Sequence, residues 1–117
     1  MESQLDLLKT VMRIRPKWEE ALPEVMKNYS AMRDNVFSDN KLTEKVKRLI
    51  GVGIAVCSGC DPCILFQTKQ ALDADASRDE IMEAVSVAVA MGGCTALGWS
   101  WRVVRLLEEL EEWKNQV

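Results

Sequence analysis

Cys57-Ser-Gly-Cys60-Asp-Pro-Cys63 puts three of the chain's four cysteines into one short turn that ends in the signature of a helix start. Asp61 suits an N-cap and Pro62 the first helical residue, where a proline loses no hydrogen bond and its φ is already helical. Cys60 and Cys63 are therefore expected where unpaired backbone N–H groups and the positive end of a helix dipole converge. That field favours thiolate over thiol. In C-x-x-C motifs the thiol pKa falls from about 8.5 to roughly 3.5–7.5, which leaves one sulfur nucleophilic at neutral pH and the other able to resolve a mixed disulfide.

Helical periodicity extends on both sides of this turn. Before it, Thr43 can cap a helix that buries Val46, Leu49, Ile50, Ile54 and Val56. After it, a helix from Pro62 uses Ile64, Leu65, Ala71 and Leu72 and ends at Asp73-Ala-Asp75. Ser77-Arg-Asp-Glu80 spells a capping box, followed by Ile81, Val85, Ala88 and Val89 and a stop at Gly92-Gly93. A last helix carries Leu97, Trp101, Val104, Leu107 and Leu110, with Arg105 and Glu109 as an i,i+4 charge pair. Upstream, residues 2–14 read as a helix ending before Pro16, and residues 17–36 as a helical stretch in which Pro23 is a kink or a fresh start; Phe37-Ser-Asp-Asn40 is a turn. No segment alternates with strand period. The expected fold is all-α, a bundle of about six helices in one domain over residues 1–117.

Composition narrows the function. The chain has 48% apolar and 28% charged residues, enough for a core, and its net charge of -3 with pI near 5.0 argues against a nucleic-acid partner. The N-terminus lacks a basic then apolar leader, and no apolar run approaches the ~20 residues that span a bilayer, so the expectation is a cytoplasmic protein with no membrane partner. Histidine is absent, which removes Ser-His-Asp triads, Cys-His proteases and imidazole acid–base chemistry. In a reducing compartment, four cysteines point to redox or metal chemistry rather than structural disulfides.

Several residues carry two readings. Cys57, three positions before Cys60, is a shuffling thiol or a small apolar residue, and Cys94 after the glycine pair is a packing residue by default. Together Cys57, Cys60, Cys63 and Cys94 form a set of the kind that holds zinc or an iron–sulfur cluster, the alternative to a cofactor-free dithiol. Gly51-Val-Gly53 lies within a helical pattern and is a packing feature, not a dinucleotide fingerprint. Glu44, Asp61, Glu80 and Glu83 are the carboxylates near the motifs, Glu83 being the candidate proton carrier because its helix is otherwise apolar. The run Glu108-Glu109-Leu-Glu111-Glu112 reads as a solvated face. Trp99, Trp101 and Trp113 cannot all point one way from a single helix and suggest core or subunit interface, as does the all-round apolarity of residues 81–104. Self-association is expected.

The ordered series Leu42-Thr-Glu-Lys-Val-Lys-Arg-Leu-Ile50, Cys60-Asp-Pro-Cys63, Ser77-Arg-Asp-Glu-Ile-Met-Glu-Ala84 and Met91-Gly-Gly93 resembles the carboxymuconolactone decarboxylase family, in the branch containing alkyl hydroperoxidase D. The similarity spans roughly residues 40–100. It implies an all-helical fold assembling as a trimer or hexamer, and a dithiol that reduces peroxides or exchanges with disulfides, re-reduced by a thiol or disulfide donor protein or a small thiol. That branch also implies a relay glutamate twelve residues before the first motif cysteine and a histidine four after the second. Here those positions hold Arg48 and Gln67.

The departures have a physical consequence. If Arg48 faces the sulfurs, its charge stabilises thiolate; otherwise it is a solvated surface residue. Gln67 can hydrogen-bond but cannot shuttle a proton. The expected function is thus a thiol–disulfide oxidoreductase or peroxiredoxin-like antioxidant protein acting through Cys60 and Cys63, with thiol–disulfide exchange favoured over peroxide cleavage. The alternatives are a four-cysteine metal protein and a non-catalytic oligomeric scaffold.

Overall fold

The computed structural model describes residues 3–116, apart from the side chains of Trp113 and Gln116, so the expectation placed on Trp113 lies outside the described residues. The chain runs α1 (Gln4–Ala21), α2 (Pro23–Phe37), α3 (Glu44–Ser58), α4 (Asp61–Asp73) and α5 (Arg78–Gln116), with no strand among the described residues. Within α5, Gly93 takes φ 65° and ψ -144°, a backbone state essentially reserved for glycine, so the break expected at Gly92-Gly93 divides α5 into two helical halves.

Local signals account for most boundaries. Thr43 Oγ1 accepts from the Val46 N–H at 3.2 Å and starts α3. At α5, the Glu80 N–H donates to Ser77 Oγ at 3.0 Å and the Ser77 N–H to Glu80 Oε1 at 2.9 Å, closing the capping box. Two expectations change upstream. α1 runs through Pro16 to Ala21 instead of ending before it; Pro16 and Met12 are both exposed, so water can reach the Met12 carbonyl that loses its donor. Pro23 is a fresh start, the first residue of α2, because Leu22 leaves the helical region at φ -136° and ψ 68°.

The main core lies among α3, α4 and both halves of α5, and is built from Val52, Val56, Ile64, Ile81, Val85 and Val103 with several alanines. Small residues let α3 and α5 approach: a side chain at Gly92 would come within 3.0 Å of Cys57 Sγ. A second cluster, Leu8, Leu65, Leu106 and Leu110, seats α1 against α4 and the end of α5. No residue of α2 is fully buried. By length and composition the span Arg78–Glu112 is apolar enough to cross a membrane, against expectation, but Ile81, Val85, Ala88, Ala96 and Val103 place part of that surface in the core. Its other face carries Val87, Met91 and Leu97, all more than half exposed.

The acidic run is not uniformly solvated. Glu109 is buried and accepts from Ser3 Oγ (2.9 Å), the Gln4 N–H (3.1 Å) and the Leu5 N–H (2.8 Å), with Arg105 Nε at 3.2 Å. It caps the first turn of α1 from the far end of the chain, answering donors that α1 cannot satisfy internally. Burial pushes its carboxyl pKa up, but the Leu5, Gln4 and Ser3 hydrogen bonds and Arg105 outweigh that and hold it below the usual range. A carboxylate depressed on folding stabilises the fold above its unfolded pKa, and that contribution is lost as pH falls through the folded value. Glu109→Gln is expected to cost roughly 1–3 kcal/mol at neutral pH, the worth of charge-assisted bonds to buried donors. In urea titrations, the variant should also lose less stability than wild type on acidification below the carboxylate range.

Candidate functional site

α3 ends in a left-handed closure. Gly59 adopts φ 67° and ψ 32°, and the N–H groups of Gly59 and Cys60 bond the Val56 and Ala55 carbonyls, each at 3.3 Å. The Trp99 indole, from the second half of α5, covers this turn so closely that a Cβ on Gly59 would lie 2.7 Å from Nε1. The chain then enters α4 with Cys60 itself as N-cap, its carbonyl accepting from the Ile64 N–H at 2.8 Å. Asp61 and Pro62 are thus the first and second helical residues, one position later than their side chains suggest, and Cys63 is the third. Cys60 and Cys63 are joined in a disulfide with their Cα atoms 5.2 Å apart, and both sulfurs sit at the helix mouth. Cys63 is exposed and Cys60 half-buried.

Asp61 brings a negative charge beside the dithiol, and Arg102 offsets it. The Arg102 Nε lies 3.0 Å from Asp61 Oδ1, off the hydrogen-bond axis, so charge rather than an aligned bond holds the contact. The guanidinium also stands over the Trp101 ring at 4.7 Å and donates to Gln4 Oε1 at 2.7 Å. The helix N-terminus is thereby left positive toward the sulfurs.

On the other flank, Arg48 donates from Nη1 to Gln67 Oε1 and from Nε to Glu44 Oε2, both at 3.4 Å, and its guanidinium lies 3.7 Å from the Phe37 ring centroid. Its side chain is 11% exposed, so it is not a solvated surface residue. Its guanidinium reaches Gln67, one turn beyond Cys63. Burial lowers its pKa against the opposing pull of Glu44, and as a guanidinium it stays charged. Gln67 is buried, and the missing side chain of Gly51 makes room for it, since a Cβ there would sit 2.9 Å from Oε1. The two positions that depart from the relay are therefore in contact with each other, and neither can carry a proton.

Cys63 and Gln67 line a groove of about 400 Å³ between α1, α2 and the start of α4. Other sequence candidates lie elsewhere. Cys57 donates its thiol to the Ala88 carbonyl at 3.3 Å and lines a separate apolar groove of about 630 Å³ between α3 and α5. Cys94 is exposed after the Gly93 break, and Glu83 is exposed on α5. Glu80 is occupied by the capping box and by Lys45 at 2.8 Å. Of the four cysteines proposed as an alternative metal set, Cys60 and Cys63 are bonded to each other, and among the described residues no three Cys, Asp or Glu side chains stand together as a metal site.

Residues 23–106 match the model of the carboxymuconolactone decarboxylase family. The chain belongs to that family. An uncharacterised protein of Cupriavidus necator is 38% identical over 74 residues, which cover 63% of this chain and 66% of that protein, so the match spans just under two thirds of that relative's length. A carboxymuconolactone decarboxylase family protein from Legionella pneumophila, in its apo form, is similar in structure with a TM-score of 0.86 at 28% identity, covering 93% of this chain and 97% of that one. A family protein from Thermotoga maritima, described as a candidate for the antioxidative response, aligns with a TM-score of 0.80 at 27% identity over 92% of this chain and 94% of that one.

Sequence reading missed Arg102 and Trp99, which reach the turn from α5, and Arg33 of α2, which lines the groove with Cys63. Arg33 was legible in part, since Tyr29, Arg33 and Phe37 recur at i,i+4 on one helix face. Arg102 and Trp99 reach the turn only through the return of α5. Replacing Arg102 with Met leaves Asp61 uncompensated one residue from Cys60. Alkylation of the reduced dithiol by iodoacetamide at neutral pH should slow by about three- to tenfold, as expected for a nearby unscreened carboxylate, while Arg102→Lys should restore most of the rate.

Proposed function

We propose that this chain is a thiol–disulfide oxidoreductase of antioxidant type, working as a homo-oligomer in the cytoplasm and cycling Cys60 and Cys63 between dithiol and disulfide. The observation that carries the reading is the bonded cysteine pair at the mouth of α4, its second sulfur open to a groove. That the Thermotoga maritima neighbour is a candidate for the antioxidative response supports it.

In the proposed reaction the Cys63 thiolate attacks one sulfur of a substrate disulfide and expels the other half as thiolate. Cys60 then attacks Cys63 Sγ, closing the internal disulfide and releasing the second half. Two electrons pass from the dithiol to the substrate, and a thiol donor, protein or small molecule, returns them by the reverse exchange. Exchange needs a good thiolate and a good leaving group. Peroxide cleavage also needs a proton delivered to the leaving oxygen, and Arg48 with Gln67 supplies none.

Mass spectrometry of the reduced protein after mild oxidant should show a two-hydrogen loss confined to the peptide holding Cys60 and Cys63. With Cys63 attacking, Cys60→Ser should accumulate a mixed disulfide on Cys63, and Cys63→Ser should form none on Cys60. Turnover in the double serine variant equal to that of wild type would overturn the dithiol reading. The relay argument has its own test: Arg48→Glu with Gln67→His places titrating groups at both positions and should raise peroxide turnover relative to disulfide turnover by on the order of 10²-fold, the lower range for a positioned acid–base group.

Self-association, as a trimer or hexamer, is part of the proposal. It is supported by the exposed apolar groove of Ile50, Ile54, Val87 and Met91, and by Trp18, Val25, Met32 and Val36 on α1 and α2, surface that a monomer would leave in water. Ile54→Glu should shift the mass measured by light scattering toward the monomer, with helical content by circular dichroism unchanged.

A further inference from the structure

We infer that the groove over Cys63 selects carboxylate-bearing substrates through Arg33, which makes the preferred disulfide one formed from a small carboxylic acid with an apolar body. The inference rests on the dithiol reading above and adds a substrate class to it.

Arg33 is held in an unusual way. Its guanidinium lies 5.6 Å from the Tyr29 ring centroid, 5.4 Å from Phe37 and 5.9 Å from Phe66, and its hydrogen bond goes from Nη1 to the Tyr29 hydroxyl at 3.3 Å. Arg15, Arg48, Arg78, Arg102 and Arg105 each pair with a carboxylate; among the described residues exposed Arg13 and half-buried Arg33 pair with none, and of those two it is Arg33 that lines the groove. Aromatic faces orient a cation without neutralising it, and four of the five guanidinium donors remain for a ligand. Arg33 and Arg48 lie close enough to repel each other, but Glu44 and Asp34 act on Arg48 with the opposite sign, so Arg48 is compensated and Arg33 is the guanidinium left without an ion-pair partner.

That cation lines the same groove as Cys63. Val11, Met12 and Phe66 give the groove an apolar wall, and its volume of about 400 Å³ suits a small organic molecule. A carboxylate on Arg33 can lay its chain along that wall with the sulfur-bearing end at Cys63. A neutral disulfide forgoes the charge-assisted contact, and a cationic one meets repulsion. The redox step is the exchange already written, so its electrons and leaving groups balance unchanged. Arg33 is a binding residue in this scheme and takes no part in bond breaking.

The test uses the reduced full-length protein with three aliphatic disulfides: 3,3′-dithiodipropionate, bis(2-hydroxyethyl) disulfide and cystamine. Each rate is divided by that of a free monothiol with the same disulfide, which cancels leaving-group differences. The anionic-to-neutral ratio should stand well above one in wild type. In Arg33→Met it should fall roughly ten- to a hundredfold, the worth of a hydrogen bond between charged groups, while Arg33→Lys should keep part of it. A wild-type ratio near one, which needs no variant, overturns the inference, as does a ratio that Arg33→Met leaves unchanged. The disulfide form is titrated in parallel with octanoate and 1-octanol, followed by NMR at Phe66 and Tyr29. Arg33-dependent binding of octanoate but not octanol supports the groove's selectivity. If octanoate binds in this way yet none of the three disulfides reacts, the dithiol reading fails while the anion site stands. If the disulfides react without charge preference, the anion site fails alone.

Discussion

The left-handed closure at Gly59 is the constraint on which the site depends. Two N–H groups turn back onto the last carbonyls of α3, and the chain leaves in the direction that makes Cys60 the cap of α4. Trp99 lies on the turn where a β-carbon would otherwise stand. The turn, the indole and the close packing of α3 against α5 are therefore one arrangement, with the break at Gly93 allowing the second half of α5 to return over it. A dithiol held this way sits on three helices rather than on a mobile loop, the kind of support that keeps reacting atoms in place.

Charge around the dithiol is arranged in two separate circuits. Asp61 contributes a negative charge at the sulfurs, and Arg102 offsets it from α5 while bracing α1 through Gln4. On the far side, Arg48 is tied to Glu44, Gln67 and Phe37, with Arg33 against the same ring. The second circuit holds two guanidiniums, an amide and the Glu44 carboxylate that Arg48 engages; the residues at the two relay positions, Arg48 and Gln67, cannot shuttle a proton. Such a setting suits the proposed thiol–disulfide exchange better than an acid–base relay.

The ends of the chain are coupled to the site by equally specific means. Glu109 caps α1 from α5, so the wall of the Cys63 groove contributed by Val11, Met12 and Arg15 is held by a carboxylate about a hundred residues away in sequence. α2 has no buried residue, and its exposed Val25, Met32 and Val36 leave it the least supported of the helices as a monomer. An arrangement that uses α2 for Tyr29 and Arg33 gains from covering that surface, which links the proposed assembly to the groove.

Much of this was legible in the sequence because it rests on local chemistry. Thr43, Ser77 with Glu80, Pro23 and the paired glycines act on backbone groups a few residues away, so caps and breaks could be placed, and the C-x-x-C spacing alone brings the two sulfurs within bonding distance at a helix start. Helix continuation through Pro16 was not readable, because it depends on the exposure of the freed Met12 carbonyl to solvent, which the placement of the other helices decides. Neither was the burial of Glu109, whose partners lie at the other end of the chain, nor the pairing of Arg48 with Gln67, nor the coverage of Gly59 by Trp99. These are contacts between elements whose mutual placement comes from packing of the whole core. A side chain's charge is fixed by its type, but its partner is fixed only when the helices meet.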